Sequence, residues 1–281
     1  MNIEHIRSFL EVTATGSFQL AADQLHVTQS TVSARIKALE DRLRQPLFIR
    51  KRNGVVLTKG GNQFHSSAVE VVRAWERGQQ EASLPEGQRS LVSIGIEENQ
   101  WSLMASEITA RLSVEIPDVA TSIVAERSEV LMQKLRAGLL DVAILYDPQH
   151  CAEAVSDILF QEDLVMYATK PRAVKEDAVP GYVFVDWGDT FRALHSTFFP
   201  GVFSHKLTMR QSAIALDHIL THGGSGYFLK RVAAPLVAQG RLFAVSGAPI
   251  IQRTLFAATR TNAANSELAA LVVDAARSTV S

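Results

Sequence analysis

The stretch GSFQLAADQLHVTQSTVSARIKALEDRL, residues 16–43, decides the fold. Gly16-Ser17 stops any helix before it and offers Ser17 as the next N-cap, since a serine oxygen accepts a backbone N–H left unpaired at a helix start. Phe18 to Leu25 reads as a short helix with Ala21, Ala22 and Leu25 inward. The two alanines let another helix cross closely. His26-Val27 is a tight turn, and Thr28 caps the next helix. From Gln29 the apolar residues Val32, Ile36, Leu39 and Leu43 fall at i, i+4, i+7 and i+11, one buried stripe on an amphipathic helix. A short helix, a tight turn and a longer helix make a helix-turn-helix, whose second helix presents its N-terminal outward residues to the major groove. With Val32 and Ile36 buried, those residues are Gln29, Ser30, Ser33, Ala34 and Lys37, with Arg35 adding charge beside them. Glutamine can pair an adenine edge, serine reaches bases or phosphates, and alanine touches a thymine methyl.

Working outward, Ile3, Ile6, Phe9, Leu10 and Thr13 share one face of a preceding helix over residues 3–14. Downstream, Pro46 is expected to end the long helix. Leu47-Phe48-Ile49 and Val55-Val56-Leu57 flank Arg50-Lys51-Arg52-Asn53-Gly54. Asn-Gly is a strong hairpin signal, because both positions tolerate positive φ. A two-stranded wing tipped with cations suits a phosphate backbone or a narrow minor groove, through Arg50 and Arg52.

Charge agrees. The 281 residues carry a net charge of -1, yet eight lysines and arginines face only Glu40 and Asp41 between residues 28 and 59. A basic block on a near-neutral chain points to an anionic partner at one place, with nucleic acid the usual candidate. A hydrophobic content of 47% marks a globular protein rather than a disordered one. Its length suggests two domains, or three small ones. A lone cysteine, Cys151, excludes a disulfide framework and any cysteine-cluster metal site. Apolar runs fall far short of the ~20 residues that span a bilayer. Glu4, His5 and Arg7 interrupt any secretory leader, so a cytoplasmic, membrane-free protein is expected.

These residues carry a resemblance. Residues 1–82 resemble the winged helix-turn-helix of the LysR-type transcriptional regulators, through Ile6, Phe9 and Val12, Gly16-Ser17-Phe18, Ala21-Ala22, Leu25, Thr28-Gln29-Ser30, Val32-Ser33, Ile36, Leu39-Glu40, Leu47-Phe48, Arg50 and Leu57-Thr58. That family commonly continues Leu-Thr-x-Ala-Gly; here Gly60 replaces the alanine, and two adjacent glycines should loosen the next helix, at ~1 kcal/mol each against alanine. Phe64, Ala68, Val71 and Trp75 then repeat at heptad-like spacing. Such a helix either packs on its own domain or, as the resemblance implies, pairs with a second subunit. The expected division is a DNA-binding domain at 1–58, a linker helix at 59–82, a hinge at 83–90 within the polar stretch 79–90, and an effector domain at 91–281.

The remainder alternates strands with helices: strands near 91–96, 119–124, 140–146, 159–169, 182–185, 206–209, 226–229 and 251–259, and helices through Leu112 and near 129–137, 191–198, 213–220 and 268–276. That alternation argues for a parallel α/β sheet. The resemblance implies a periplasmic-binding-protein-like pair of α/β lobes, the first at about 91–160 plus 249–281 and the second at 161–248. The whole is thus an α/β protein with an N-terminal winged helix-turn-helix. Ligands of α/β sheets bind beyond strand carboxyl ends. Those ends offer Asn99, Gln100, Trp101, Ser102, Arg127, Ser128 and Tyr146, then Trp187 and Phe191. Trp101 and Trp187 serve equally well as lobe core. The mixture favours a small anionic ligand with an apolar part, although Asp147 and Asp186 would repel acids if they face inward.

Enzymatic readings fare poorly. Gly223-Gly224-Ser225-Gly226 fails as a nucleophile elbow because Tyr227 stands where the last glycine belongs. His218 and His222 stand at i, i+4 without an evident third ligand. Gly224-Ser225-Gly226-Tyr227-Phe228-Leu229-Lys230 departs from the family's Gly-x-Gly-Ile-x-x-x-Pro, which puts ligand contacts at that turn in doubt. The expectation is a non-enzymatic regulator without cofactor or metal, its partners double-stranded promoter DNA and a small effector. The resemblance further implies a homodimer through the linker helix and a homotetramer through the effector domains.

Overall fold

The computed structural model describes residues 2–51, 54–82, 84, 87–149, 151–174, 179, 181–199, 206–261 and 265–279. The chain divides into two compact units, residues 1–91 with 137–139, and residues 92–136 with 140–281.

In the first unit α1 (Ile3–Thr15), α2 (Phe18–Gln24) and α3 (Gln29–Leu43) precede a hairpin of β1 (Phe48–Lys51) and β2 (Gly54–Leu57), and α4 (Lys59–Ala82) comes after it. Side chains cap the helices as the spacing predicts: Ser17 Oγ accepts from the Leu20 N–H, and Thr28 Oγ1 from the Thr31 N–H. Each such cap is worth about 1 kcal/mol. Ile6, Phe9, Val12, Ala21, Ala22, Val32, Ile36, Leu39 and Leu47 form the core. Glu40 ties α3 to the wing, its carboxylate accepting the Leu47 and Phe48 N–H groups at 2.7 and 3.3 Å.

Three expectations change here. The long helix ends at Arg44, whose φ of 52° forms a left-handed C-cap, and not at Pro46. Residues 79–82, read as hinge, are helical. The heptad seam splits. Ala68 is fully buried and Phe64 lies 5.3 Å from Phe9 between ring centroids, so that half packs on its own domain together with Val72. Val71 and Trp75, 36% and 50% exposed, remain outside. Gly61 explains the double glycine. A Cβ there would lie 2.2 Å from the Leu47 carbonyl oxygen, so the wing and α4 approach each other only because that atom is absent.

The second unit contains β3 (Ser90–Glu97), α5 (Trp101–Glu115), β4 (Val119–Glu126), α6 (Ser128–Arg136), β5 (Val142–Tyr146), β6 (Ala154–Ala168), β7 (Val183–Val185), α7 (Asp189–Phe198), β8 (Leu207–Met209), α8 (Ser212–His222), β9 (Ser225–Leu229), α9 (Lys230–Ala238), β10 (Phe243–Ala244), β11 (Ile251–Arg260) and α10 (Ser266–Ser278). Its main sheet runs β10-β6-β11-β5-β3-β4, with β9 also on β6. The expected parallel sheet is corrected to a mixed one. β3 runs parallel to β5, but β11 lies antiparallel to both β5 and β6, and β6 antiparallel to β9. The two long strands cross between two lobes. The first has its core on both faces of the sheet, around Ile94, Ile144 and Val272 on one side and Leu131, Leu140 and Leu145 on the other. The second buries Met166, Tyr182, Phe191 and Tyr227. A bulge in the β6–β11 ladder falls at Leu255/Phe256, within the part of these strands that serves the first-lobe core.

Candidate functional site

Two surfaces carry chemistry, one in each unit. On α3 the buried stripe Val32, Ile36, Leu39 leaves Gln29, Ser30, Ala34 and Lys37 exposed and Ser33 half-buried. Ser30 Oγ lies 2.9 Å from Thr28 Oγ1, within the capping cluster. Arg35 departs from its expected outward place. It is half-buried, with Nη1 donating to Ser8 Oγ at 3.3 Å and lying 3.5 Å from the Glu4 carboxylate, so it ties α3 to α1. β1 and β2 pair with Lys51 opposite Gly54. Arg50 belongs to β1, whereas Arg52 lies outside the described residues. The Val55 N–H donates to the Gly16 carbonyl at 2.9 Å, fixing the wing against the turn that begins α2.

In the second unit a cleft of about 800 Å³, counting its open mouth, is lined from both lobes. The first lobe contributes Glu97, Glu98, Arg127, Ser128, Glu129 and Asp147; the second contributes Asp186, Trp187, Asp189, Arg192 and Arg210; β11 adds Arg253. Of the residues expected to bind a ligand, the structure places Arg127, Ser128 and Trp187 on its wall. Ser128 Oγ accepts the Tyr146 N–H at 3.1 Å, and the Trp187 indole donates to the Tyr227 carbonyl at 3.0 Å, so both are held in place.

The other expected residues are corrected. Trp101 and Ser102 open α5 on exposed surface outside the lining. Phe191 is fully buried in the second-lobe core. Asn99, Gln100 and Tyr146 are buried behind the cleft. There Tyr146 Oη and Gln100 Nε2 both donate to Glu162, and Arg231 donates to Glu162 at 3.1 Å and to the Gln100 carbonyl. Burial, with the Glu162 and Glu97 carboxylates nearby, raises the Tyr146 hydroxyl pKa. Asn99 Oδ1 accepts the Ser212 N–H at 2.7 Å, linking first lobe to second.

The residues that dominate the wall were missed. Arg253 is only 3% exposed; its guanidinium stacks 4.0 Å from the Tyr146 ring centroid, donates to the Trp187 carbonyl, and pairs with Asp147 at 3.0 Å. Arg192 donates to Asp186 at 2.5 Å and to Asp189. Glu97, 8% exposed, accepts from the Asn99 backbone N–H at 2.8 Å and from its side-chain amide at 3.3 Å. Burial pushes its carboxyl up to about 7 from an ordinary 4.5; Glu98 adds to the rise, and the Asn99 bonds and Arg253 oppose it. The one available signal was position: Glu97 ends a strand, where ligands of α/β sheets sit. His218 and His222 are adjacent, 4.9 Å between ring centroids, but among the described residues no third metal-ligating side chain joins them.

Comparison with known proteins places both surfaces in recognised domains. The family model "Bacterial regulatory helix-turn-helix protein, lysR family" matches residues 3–62, and "LysR substrate binding domain" matches residues 85–281. The HTH-type transcriptional regulator HdfR of Escherichia coli O45:K1 (strain S88 / ExPEC) is 31% identical over 197 residues, covering 68% of this chain and 69% of HdfR. Among solved structures, full-length LysG from Corynebacterium glutamicum with bound effector Arg superposes with a TM-score of 0.59 at 18% identity, covering 99% of this chain and 98% of that one. ArgP from Mycobacterium tuberculosis gives 0.58 at 19%, covering 99% and 96%.

Proposed function

This chain belongs to the LysR family of transcriptional regulators, and we propose that it reads promoter DNA through α3 and its wing and answers to a small molecule held between the two lobes of its second unit. The observation that carries this reading is the cleft itself. Its lining comes from both lobes, so a ligand that touches both favours the closed arrangement over the open one. Gln29, Ser30, Ser33 and Ala34 are assigned to base edges and Lys37, Arg50 and Arg52 to phosphates. Arg35 is reassigned to positioning α3. The domain bounds are taken as 1–58, 59–82, 83–90 and 91–281. The protein acts by binding rather than turnover, in the cytoplasm. No described helix is long and apolar enough to cross a membrane.

A homodimer through α4 is part of the reading, as is a homotetramer. The support is the exposed Val71, Ala74 and Trp75 of α4, beside the half-buried Ile3 of α1. A mobility-shift assay with the DNA upstream of its own gene tests the function. A retarded band that survives excess random DNA is expected. Equal competition by random and upstream DNA refutes sequence-specific regulation.

A further inference from the structure

The charges in the cleft do not cancel where they stand. Arg253 is spent on Asp147, Arg192 on Asp186 and Asp189, and Arg127 lies 3.9 Å from Glu129. Glu97 and Glu98, adjacent at the end of β3 on the first lobe, have no cation paired to them among the described residues. Glu97 holds only the two Asn99 N–H groups, and it is nine-tenths buried. On the second lobe, just past β8, Arg210 lines the cleft without a carboxylate partner among the described residues. The unmatched inventory is therefore two carboxylates on one wall and one guanidinium on the other.

An ion leaves water at low cost only when a counter-charge meets it. A purely anionic ligand would satisfy Arg210 but face Glu97 and Glu98 unrelieved, within a wall of six carboxylates and four guanidiniums. A purely cationic ligand would leave Arg210 alone. We propose that the effector is a small zwitterion of the amino-acid class, its cationic nitrogen seated against Glu97 and Glu98 and its carboxylate against Arg210. This replaces the anion expected from sequence, and it rests on the reading of the cleft as the effector site. One molecule then connects first lobe to second through opposite charges, and neither charge alone suffices. Trp187, packed in the second-lobe core with its indole bonded to the Tyr227 carbonyl, lines the cleft beside these charges.

The experiment uses the full chain at pH 8. Thermal stability is measured against each standard L-amino acid, ornithine, β-alanine and 4-aminobutyrate, beside succinate, citrate, benzoate and glucose 6-phosphate. Saturable stabilisation by at least one zwitterion is expected. Its N-acetyl derivative, which lacks the cation, should bind at least about tenfold more weakly, as should the parent compound to Glu98→Gln. Arg210→Gln should weaken the zwitterion by a similar factor while leaving its carboxamide derivative unaffected, a pattern that a general structural defect does not produce. Stabilisation by the anions alone, by no zwitterion, or equally in both variants overturns the assignment. Such a result leaves the regulator reading standing, because that reading fails separately, in the ligand-free mobility shift.

Discussion

Replacing Glu97 by Gln should make the protein more stable at pH 8 and leave it nearly unchanged at pH 4.5. The carboxyl is 8% exposed and lifted by burial from 4.5 to about 7. A carboxyl whose folded-state value lies above its unfolded one contributes fully below about 4.5, and that contribution is lost as pH rises through 7. Above 7 the folded chain holds a buried anion at a cost of about 3 kcal/mol. Glutamine keeps the shape and can still accept the Asn99 backbone N–H, but it does not ionise. The groups around it are Glu98, Arg253 and Tyr146, with Glu162 beyond Tyr146. Their action on the Glu97 charge, with Glu98 raising its pKa and Arg253 lowering it, is already contained in that shift. Urea unfolding followed by tryptophan fluorescence, in a Trp75→Phe background that leaves only Trp101 and Trp187, reads the second unit. The gain should grow from pH 4.5 to 7, then level near 3 kcal/mol. For a unit of this size that corresponds to roughly 6–12 °C in melting temperature. A difference independent of pH, or a loss of stability at pH 8, would refute the buried-anion account.

Four further outcomes are expected. Affinity for a zwitterionic ligand should rise with pH between 6 and 7 and level off above, because Glu97 must ionise to meet the cation; calorimetry would show proton release at pH 6, and a flat profile argues against contact with Glu97. Gln29→Ala should cost about 1–3 kcal/mol on the specific site and little on random DNA, measured by competitive mobility shift; equal losses on both remove the base contact. Trp75→Glu places charge on the exposed strip of α4 and should dissociate the dimer in sedimentation, whereas a wild type already monomeric at micromolar concentration rejects the α4 interface. Gly60→Ala should stabilise by up to about 1 kcal/mol, since its Cβ displaces only the Gln45 side chain. Gly61→Ala, meeting the Leu47 carbonyl, should destabilise by about 1–3 kcal/mol, and thermal denaturation of the pair separates them.

Local chemistry made the first unit readable. Ser17 and Thr28 announce their caps within three residues, and the Val32-Ile36-Leu39 stripe needs no distant partner to be recognised. The second unit was readable as alternation but not as direction. β6 takes β11 as its neighbour, with Leu164 opposite Ile251, and nothing local in either segment says they run antiparallel. The helix α9 escaped notice because Pro235 stands inside it. The cleft was least legible. Arg253 occupies a strand position where a charged side chain reads as solvent-facing, and its burial depends on Tyr146, Asp147 and Trp187 arriving from more than 60 residues away. Gln100 and Tyr146 read locally as ligand contacts, but the Gln100 amide N–H and the Tyr146 hydroxyl donate to Glu162 and the Gln100 carbonyl accepts from Arg231.

The first lobe draws on both ends of its domain: Ile94, Ile96 and Met104 pack with Val272, Val273 and Ala276 of α10. A ribosome adding roughly 5–20 residues each second needs about 10–40 s to travel from the first of these segments to the last. Throughout that interval the helix-turn-helix can already be folded, while β3 and β5 wait with an uncovered apolar face. A frameshift or premature stop before α10 would therefore release a chain able to sit on an operator yet deaf to its signal. In a cell also making the intact protein, such a fragment would compete for the promoter, and the phenotype would be dominant rather than recessive.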